Sequence, residues 1–356
     1  MSKKVIAALI ACVLLYIPTM VCAQDNALAD RVAALEESMA GSFFQKVEFS
    51  GALEAEATYS SDYADAQTSD IDLTTMELGI NITLNDYVSG FALIKWEDDD
   101  EDVFLDEGGI TLGNVETMGY AVTVGKLYVP FGVFETGMVS DPLTLEIGET
   151  REGAITVDVA AAGFYGAVYA FNSAISDDAS DDTIDSYGLM AGYAFESDAM
   201  SLDLSAGWIS NITSSGGYDG YLTDNSIDPV DEYTAGATVS AVIGIADFTI
   251  IAEYLAALDS DFSTATTEEP TATNIEVVYD FEMIGRAAAM AVAYQMTDEA
   301  VFLGLPETRA GATVSVEITK GVSIALEYIH DEDYDVADGG TGESADAVTC
   351  QLAFTF

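Results

Sequence analysis

The sequence predicts an all-β fold: a transmembrane antiparallel up-and-down β-barrel of about 16 strands, with a short N-terminal periplasmic helix before it. Three observations carry this. Apolar and polar residues alternate with a period of two beyond Lys46. Short turns alternate with long acidic loops along the chain. The C-terminus places Val348, Cys350, Leu352, Phe354 and Phe356 on one face and Thr349, Gln351, Ala353 and Thr355 on the other.

Composition narrows the alternatives. The 356 residues contain 62 Asp and Glu against 10 Lys and Arg, a net charge of -52. Phosphate binding needs clustered bases, so nucleic acid is excluded as a partner. The 16 Phe, 18 Tyr and 2 Trp argue against acidic disorder. Past the N-terminus no apolar run is long enough for a membrane-spanning helix.

Residues 1–23 read as a signal peptide. Lys3 and Lys4 form its basic start, Val5 to Ile17 its apolar stretch, and Val21-Cys22-Ala23 a cleavage site. The residues before Cys22 do not form a good lipobox, which disfavours a lipoprotein. Cleavage leaves only Cys350, so no internal disulfide is expected. In 24–45, Leu28, Val32, Leu35 and Met39 form a heptad-like stripe. It predicts an amphipathic helix packed on the periplasmic end or a short coiled coil joining several chains.

The barrel occupies 46–356. Val47, Phe49, Leu53, Ala55, Ala57 and Tyr59 oppose Glu48, Ser50, Glu54, Glu56 and Thr58. The alternation recurs near 70–84, 87–97, 103–113, 118–128, 151–160, 162–173, 184–196, 199–211, 231–244, 246–257, 272–281, 285–296, 306–318, 321–332 and 344–356. Asp106 to Gly109 break the pattern in 103–113, which predicts a bulge. Aromatic residues Tyr59, Trp96, Tyr187, Phe195, Trp208, Tyr254, Phe281 and Tyr328 fall near strand ends, as interfacial girdles do. Leu352, Phe354 and Phe356 form the expected assembly signal. A barrel this wide leaves an aqueous channel in the bacterial outer membrane, surrounded by its lipid.

Tyr128 to Thr150 is the third outward loop and unusually apolar, with Val129, Phe131, Val133, Phe134, Leu143 and Leu145. By analogy with general porins it folds into the channel; the alternative is packing at the mouth or a subunit contact. Pro130, Phe131, Glu135, Asp141, Glu146, Glu149 and Arg151 are the constriction candidates. With the polar face inward, Glu48, Glu54, Glu56, Glu77, Asp203, Glu253, Glu276, Asp280, Glu317 and Glu327 line the lumen beside Lys95 and Arg309. Such a wall favours cations.

Other chemistries are poorly supplied. The single histidine, His330, has no nucleophile or paired acid in a recognisable pattern, so no enzyme is predicted. No metal site and no cofactor is expected; the acid runs read as solvated loops or weak sites for divalent cations. A run of Ala287, Ala289, Ala291 and Ala293 keeps open a sealed structural or adhesive barrel.

The segments Gly125 to Gly132, Val139 to Leu143 and Gly148 to Glu152, with the start Val47-Glu48-Phe49-Ser50-Gly51, resemble the LbtU-type siderophore porin family. The resemblance implies a 16-stranded barrel that takes up an iron-chelating siderophore as its small-molecule partner, without the plug of energised receptors. A strongly anionic siderophore would need a basic site, for which Lys126, Arg151 and Arg309 are the candidates. A homo-trimer is expected by analogy alone.

Overall fold

The computed structural model describes residues 46–98, 102–176, 183–227, 229–260 and 268–356. The signal-peptide and amphipathic-segment readings (1–23 and 24–45) lie outside the described residues, as do parts of the acid runs at 98–102 and 177–182.

Residues Val47–Phe356 form one unit, a closed antiparallel barrel of sixteen strands in sequence order. They are β1 Val47–Ser61, β2 Gln67–Asn85, β3 Val88–Glu97, β4 Phe104–Asn114, β5 Tyr120–Tyr128, β6 Arg151–Ala161, β7 Phe164–Asn172 and β8 Ser186–Glu196. The second half comprises β9 Met200–Ile209, β10 Gly236–Ile245, β11 Phe248–Ala257, β12 Thr271–Met283, β13 Arg286–Asp298, β14 Thr308–Thr319, β15 Val322–Glu332 and β16 Ser344–Thr355. Among the described residues three α-helices interrupt the connections: α1 Val115–Met118, α2 Leu143–Gly148 and α3 Gly216–Asn225.

Alternation sets which way each side chain faces. On β11, β12 and β15 the apolar Tyr254, Ile275 and Tyr328 are 45–47% exposed, whereas their sequence neighbours Glu253, Glu276 and Glu327 are at most 3% exposed. Such burial is inside-out relative to a water-soluble protein. A barrel with lipid outside and a polar interior accounts for it. Val124, Val168, Val239, Val292 and Leu326 continue the exposed apolar belt. Exposed aromatics rim it at both ends: Tyr59, Tyr187, Tyr254 and Tyr328 toward the long loops, Phe164, Phe195, Phe248 and Phe356 toward the short turns.

The bulge expected in β4 is present. Leu93 pairs with Glu107 and Ile94 with Leu105, leaving Asp106 as the extra residue. The gaps between the alternating stretches, Ser60 to Ser69 and Ile212 to Asp231, read as long acidic loops from the sequence, and the structure corrects both. The β1–β2 hairpin extends to Ser61 and Gln67, so the loop there is shorter than 60–69. The stretch from Ile212 is not a plain acidic loop: it folds as α3, with Tyr218 and Leu222 fully buried. They pack beside Ile175, Val230 and Ala300, with Phe302 against both Tyr218 and Tyr221. The outer loops thus build a small core above part of the barrel mouth.

Closure joins β1 to β16 from Ala52↔Thr355 to Ser61↔Asp346. At its end the Gly51 amide donates to the Phe356 carbonyl (3.2 Å), and the Phe356 amide to that of Gly51 (3.1 Å). Removing Phe354 to Phe356 deletes these bonds and the Leu53↔Phe354 pair, leaving part of β1 as an open edge. The truncated chain should lose the heat-sensitive gel mobility of a folded barrel and fail to assemble in membranes. Normal assembly would show that these residues do not close the seam.

Candidate functional site

The 129–150 segment leaves the strand ends and lies against the inner wall. Its base is closed by the Val129 amide donating to the Thr150 carbonyl at 2.9 Å. Phe131 then turns into a pocket between β9 and β10 and is 1% exposed. Gly207 makes this approach feasible: a Cβ there would stand 2.1 Å from the Phe131 carbonyl oxygen.

Beyond Phe131 the loop is fastened by wall carboxylates taken in turn. Glu253 on β11 accepts from the amides of Val133 (2.8 Å) and Phe134 (3.1 Å) and from the Thr144 hydroxyl (3.0 Å). Glu276 on β12 accepts from the Gly137 amide (2.6 Å) and the Thr136 hydroxyl (2.8 Å). Glu327 on β15 accepts from the amides of Val139 (2.5 Å) and Ser140 (3.1 Å) and from Thr313 (2.8 Å). Gln295 on β13 takes the Leu143 amide at 2.7 Å, at the start of α2.

Local residue choice permits this path. Gly137 sits so close to the wall that a Cβ would lie 2.9 Å from Val278 and 3.4 Å from the small side chain of Ala291. Phe134 adopts a positive φ of 54°, an unfavourable region for a bulky residue, and its amide is held there by Glu253. A charge buried against wall and loop is tolerable because several donors satisfy each carboxylate. From the outside, the Gly216 amide at the start of α3 donates to the Glu149 carbonyl at 3.0 Å.

Several constriction and lumen expectations change. Phe131 is a packing anchor and does not face open space. Pro130 beside it is half-buried. Glu253, Glu276 and Glu327 point inward but lie beneath the loop, so they do not line an open passage. Arg309 is bound bidentate to Asp331 (2.8 and 3.0 Å). Glu135, Asp141 and Glu146 are exposed on the loop, and Glu149 is half-buried just after α2. Glu54, Glu56, Glu77 and Lys95 lie on β1, β2 and β3, away from the wall that holds the loop. Glu56 accepts from Gln351 at 3.0 Å, and Lys95 pairs with Glu97 (2.8 Å) and Glu77 (3.8 Å). Asp141 bridges the gap electrostatically, interacting with Glu54 and Lys95 on one side and Glu327 on the other. Glu48, Asp203, Asp280 and Glu317 lie toward the short-turn end, where Asp203 also accepts a hydrogen bond from Tyr165.

A polar cavity of about 510 Å³ opens beside the loop. Lys95, Lys126 and Arg151 supply its cationic lining; Glu97, Asp141, Glu149, Glu152 and Asp219 its acidic lining. Arg151 pairs with Asp106 and covers the rings of Phe104 and Tyr128, with its guanidinium carbon 5.4 and 5.7 Å from their centres. Of these residues, Glu97, Glu152 and Asp219 were not among the sequence candidates. Lys126 had been singled out only as a compensating base. Their convergence depends on three loops and three strands, and no local motif announces it.

Burial and the nearby Asp141 push the Glu149 carboxyl up to about 7, against the opposing pull of Lys95 and Arg151. Glu149 is therefore neutral below that pH and adds a negative charge above it. Cation preference of a passage through this cavity should rise as pH passes upward through about 7. Reversal potentials measured on both sides of that pH check this, and Glu149→Gln should flatten the response.

No family model matches the chain. It is 29% identical over 303 residues to a UPF0422 protein of Coxiella burnetii, covering 81% of this chain and 65% of the relative. It is 27% identical over 358 residues to a UPF0422 protein of Legionella pneumophila strain Philadelphia 1, covering 87% and 66%. The chain thus spans slightly less than two thirds of the length of these curated relatives. Among solved structures it is similar to OprB of Pseudomonas putida, with a TM-score of 0.64 at 10% identity over 91% of this chain and 97% of that one. The outer-membrane channel DcaP of Acinetobacter baumannii gives 0.60 at 13%, over 87% and 97%. An anion-selective porin from Comamonas acidovorans gives 0.60 at 12%, over 87% and 99%. At such identities the likeness is one of fold, and the fold is that of outer-membrane porins.

Proposed function

We propose that the chain is a diffusion channel of the bacterial outer membrane, narrowed by the 129–150 loop and preferring cations. The single observation that supports this best is the loop fastened inside the barrel by Glu253, Glu276 and Glu327. A sealed structural barrel has no need of a loop held to one wall while the other keeps charged side chains. Cation preference follows from the balance along the passage: Glu54, Glu56, Glu77, Glu97, Asp141, Glu149, Glu152 and Asp219 against Lys95, Lys126 and Arg151. Fold does not decide selectivity, since a porin of the same architecture is described as anion-selective. Single-channel recording of the purified protein in a salt gradient tests the reading. The barrel should conduct and show a cation-selective reversal potential.

The finer reading is uptake of a siderophore. Its support is the resemblance of Gly125 to Gly132, Val139 to Leu143 and Gly148 to Glu152 to the LbtU-type porins. A strain lacking the protein should grow poorly in iron limitation and recover with added iron, while other small solutes enter normally. Equal growth in both conditions would leave a general cation-preferring porin. Assembly as a homo-trimer in outer-membrane lipid remains part of the proposal, and cross-linking in membranes would test it.

A further inference from the structure

Seven Lys and Arg residues occur among the described residues. Lys46, Arg286 and Lys320 lie at the short-turn end of the barrel, and Arg309 is consumed by Asp331. The remaining three, Lys95, Lys126 and Arg151, all line the one polar cavity beside the loop. In so acidic a chain, that gathering of scarce cations points to a binding task.

The charges left over in the cavity are divided by sign. Its bases stand on the barrel strands β3, β5 and β6. Two acids share those strands and are engaged: Glu97 pairs with Lys95, and Glu152 accepts from the Ala174 amide at 2.8 Å. The acids that remain are Asp141 and Glu149 on the loop and Asp219 on α3. Two of the bases are engaged: Lys95 with Glu97, and Arg151 with Asp106. Lys126 donates to the Leu105 carbonyl at 3.1 Å and forms no ion pair among the described residues. The side-chain carboxylates of Asp141, Glu149 and Asp219 likewise accept no hydrogen bond from a described residue. One uncommitted ammonium therefore shares about 510 Å³ with three uncommitted carboxylates. This volume suits a small organic solute.

Resting on the channel reading above, we infer that this cavity selects solutes bearing both an ammonium and a carboxylate group, an amino acid or short peptide in chemical class. The solute carboxylate meets Lys126 on the wall, and its ammonium meets Asp219 and the loop carboxylates. A simple anion gains only Lys126 and is repelled by the acids that line the rest of the cavity. A simple cation leaves Lys126 unpaired, and a neutral sugar leaves every charge as it was. A zwitterion aligned with the transverse field satisfies both sides at once.

The test is osmotic swelling of proteoliposomes holding the full chain, with glycylglycine and ribose as probes of comparable size. Glycylglycine should enter several-fold faster than ribose. Lys126→Gln and Asp219→Asn should each remove most of that advantage and leave the ribose rate unchanged, which also shows that the variants are folded. Equal entry of the two probes in the native protein, or an advantage that survives both substitutions, overturns the inference while leaving the channel intact. No swelling with either probe overturns the channel reading itself.

Discussion

Replacing Glu253, Glu276 and Glu327 together by alanine should free the 129–150 loop from the wall and raise single-channel conductance several-fold. Each carboxylate satisfies two or more loop donors. A buried donor left without its partner costs about 1–3 kcal/mol. Losing all three acceptors strands at least five backbone amides, far more than the remaining Gln295 contact can offset. The segment should then be cut after Glu135 or Glu146 by a glutamate-specific protease that leaves the native protein whole. Unchanged conductance together with unchanged protection would show that the carboxylates do not hold the loop.

Phe131→Ala should loosen the same segment at its root, by a different route. The ring is 1% exposed and belongs to the apolar cluster of Leu127, Ile147, Ile209 and Ile212. Truncating a buried Phe to Ala typically costs about 3–5 kcal/mol, part of it for the cavity left behind. The barrel, held by its closed ladder, should survive. The expected result is the heat-sensitive gel mobility of a folded barrel together with noisier, larger single-channel currents. Quiet native-like currents would mean that Phe131 contributes nothing to holding the constriction.

The strands were legible because one face meets lipid and the other meets water, which writes a period of two into the residues themselves. Even the irregular β4 was legible, since Asp106 to Gly109 interrupt that period where the bulge lies. The loop stood out for a similar reason: Val129, Phe131, Val133 and Phe134 do not belong in a solvated connection. What each loop residue does was not legible. Nothing in the alternation separates Glu276, buried under Gly137, from Glu77, which faces Lys95, because the difference is made by a segment about 140 residues away. Phe131 was read as lining the pore for the same reason. Its pocket is built by Gly207 and Gly236, whose importance appears only when the loop backbone is laid over them. The helix α3 was hidden by its acidic and glycine-rich composition. Its stability comes from packing Tyr218 and Leu222 under neighbouring loops, a tertiary effect that outweighs weak local propensity.

A channel narrowed by its own loop and lined by carboxylates should be open and cation-preferring. The most direct measurement is the reversal potential of purified protein in a planar bilayer across a potassium chloride gradient, at low salt, where the charges of Glu54, Glu56, Glu77 and Asp141 are least screened. The predicted result is steady conductance with a potential of the sign given by potassium permeating faster than chloride, declining as salt is raised. A barrel that inserts but does not conduct, or one whose potential shows chloride permeating faster, would contradict it.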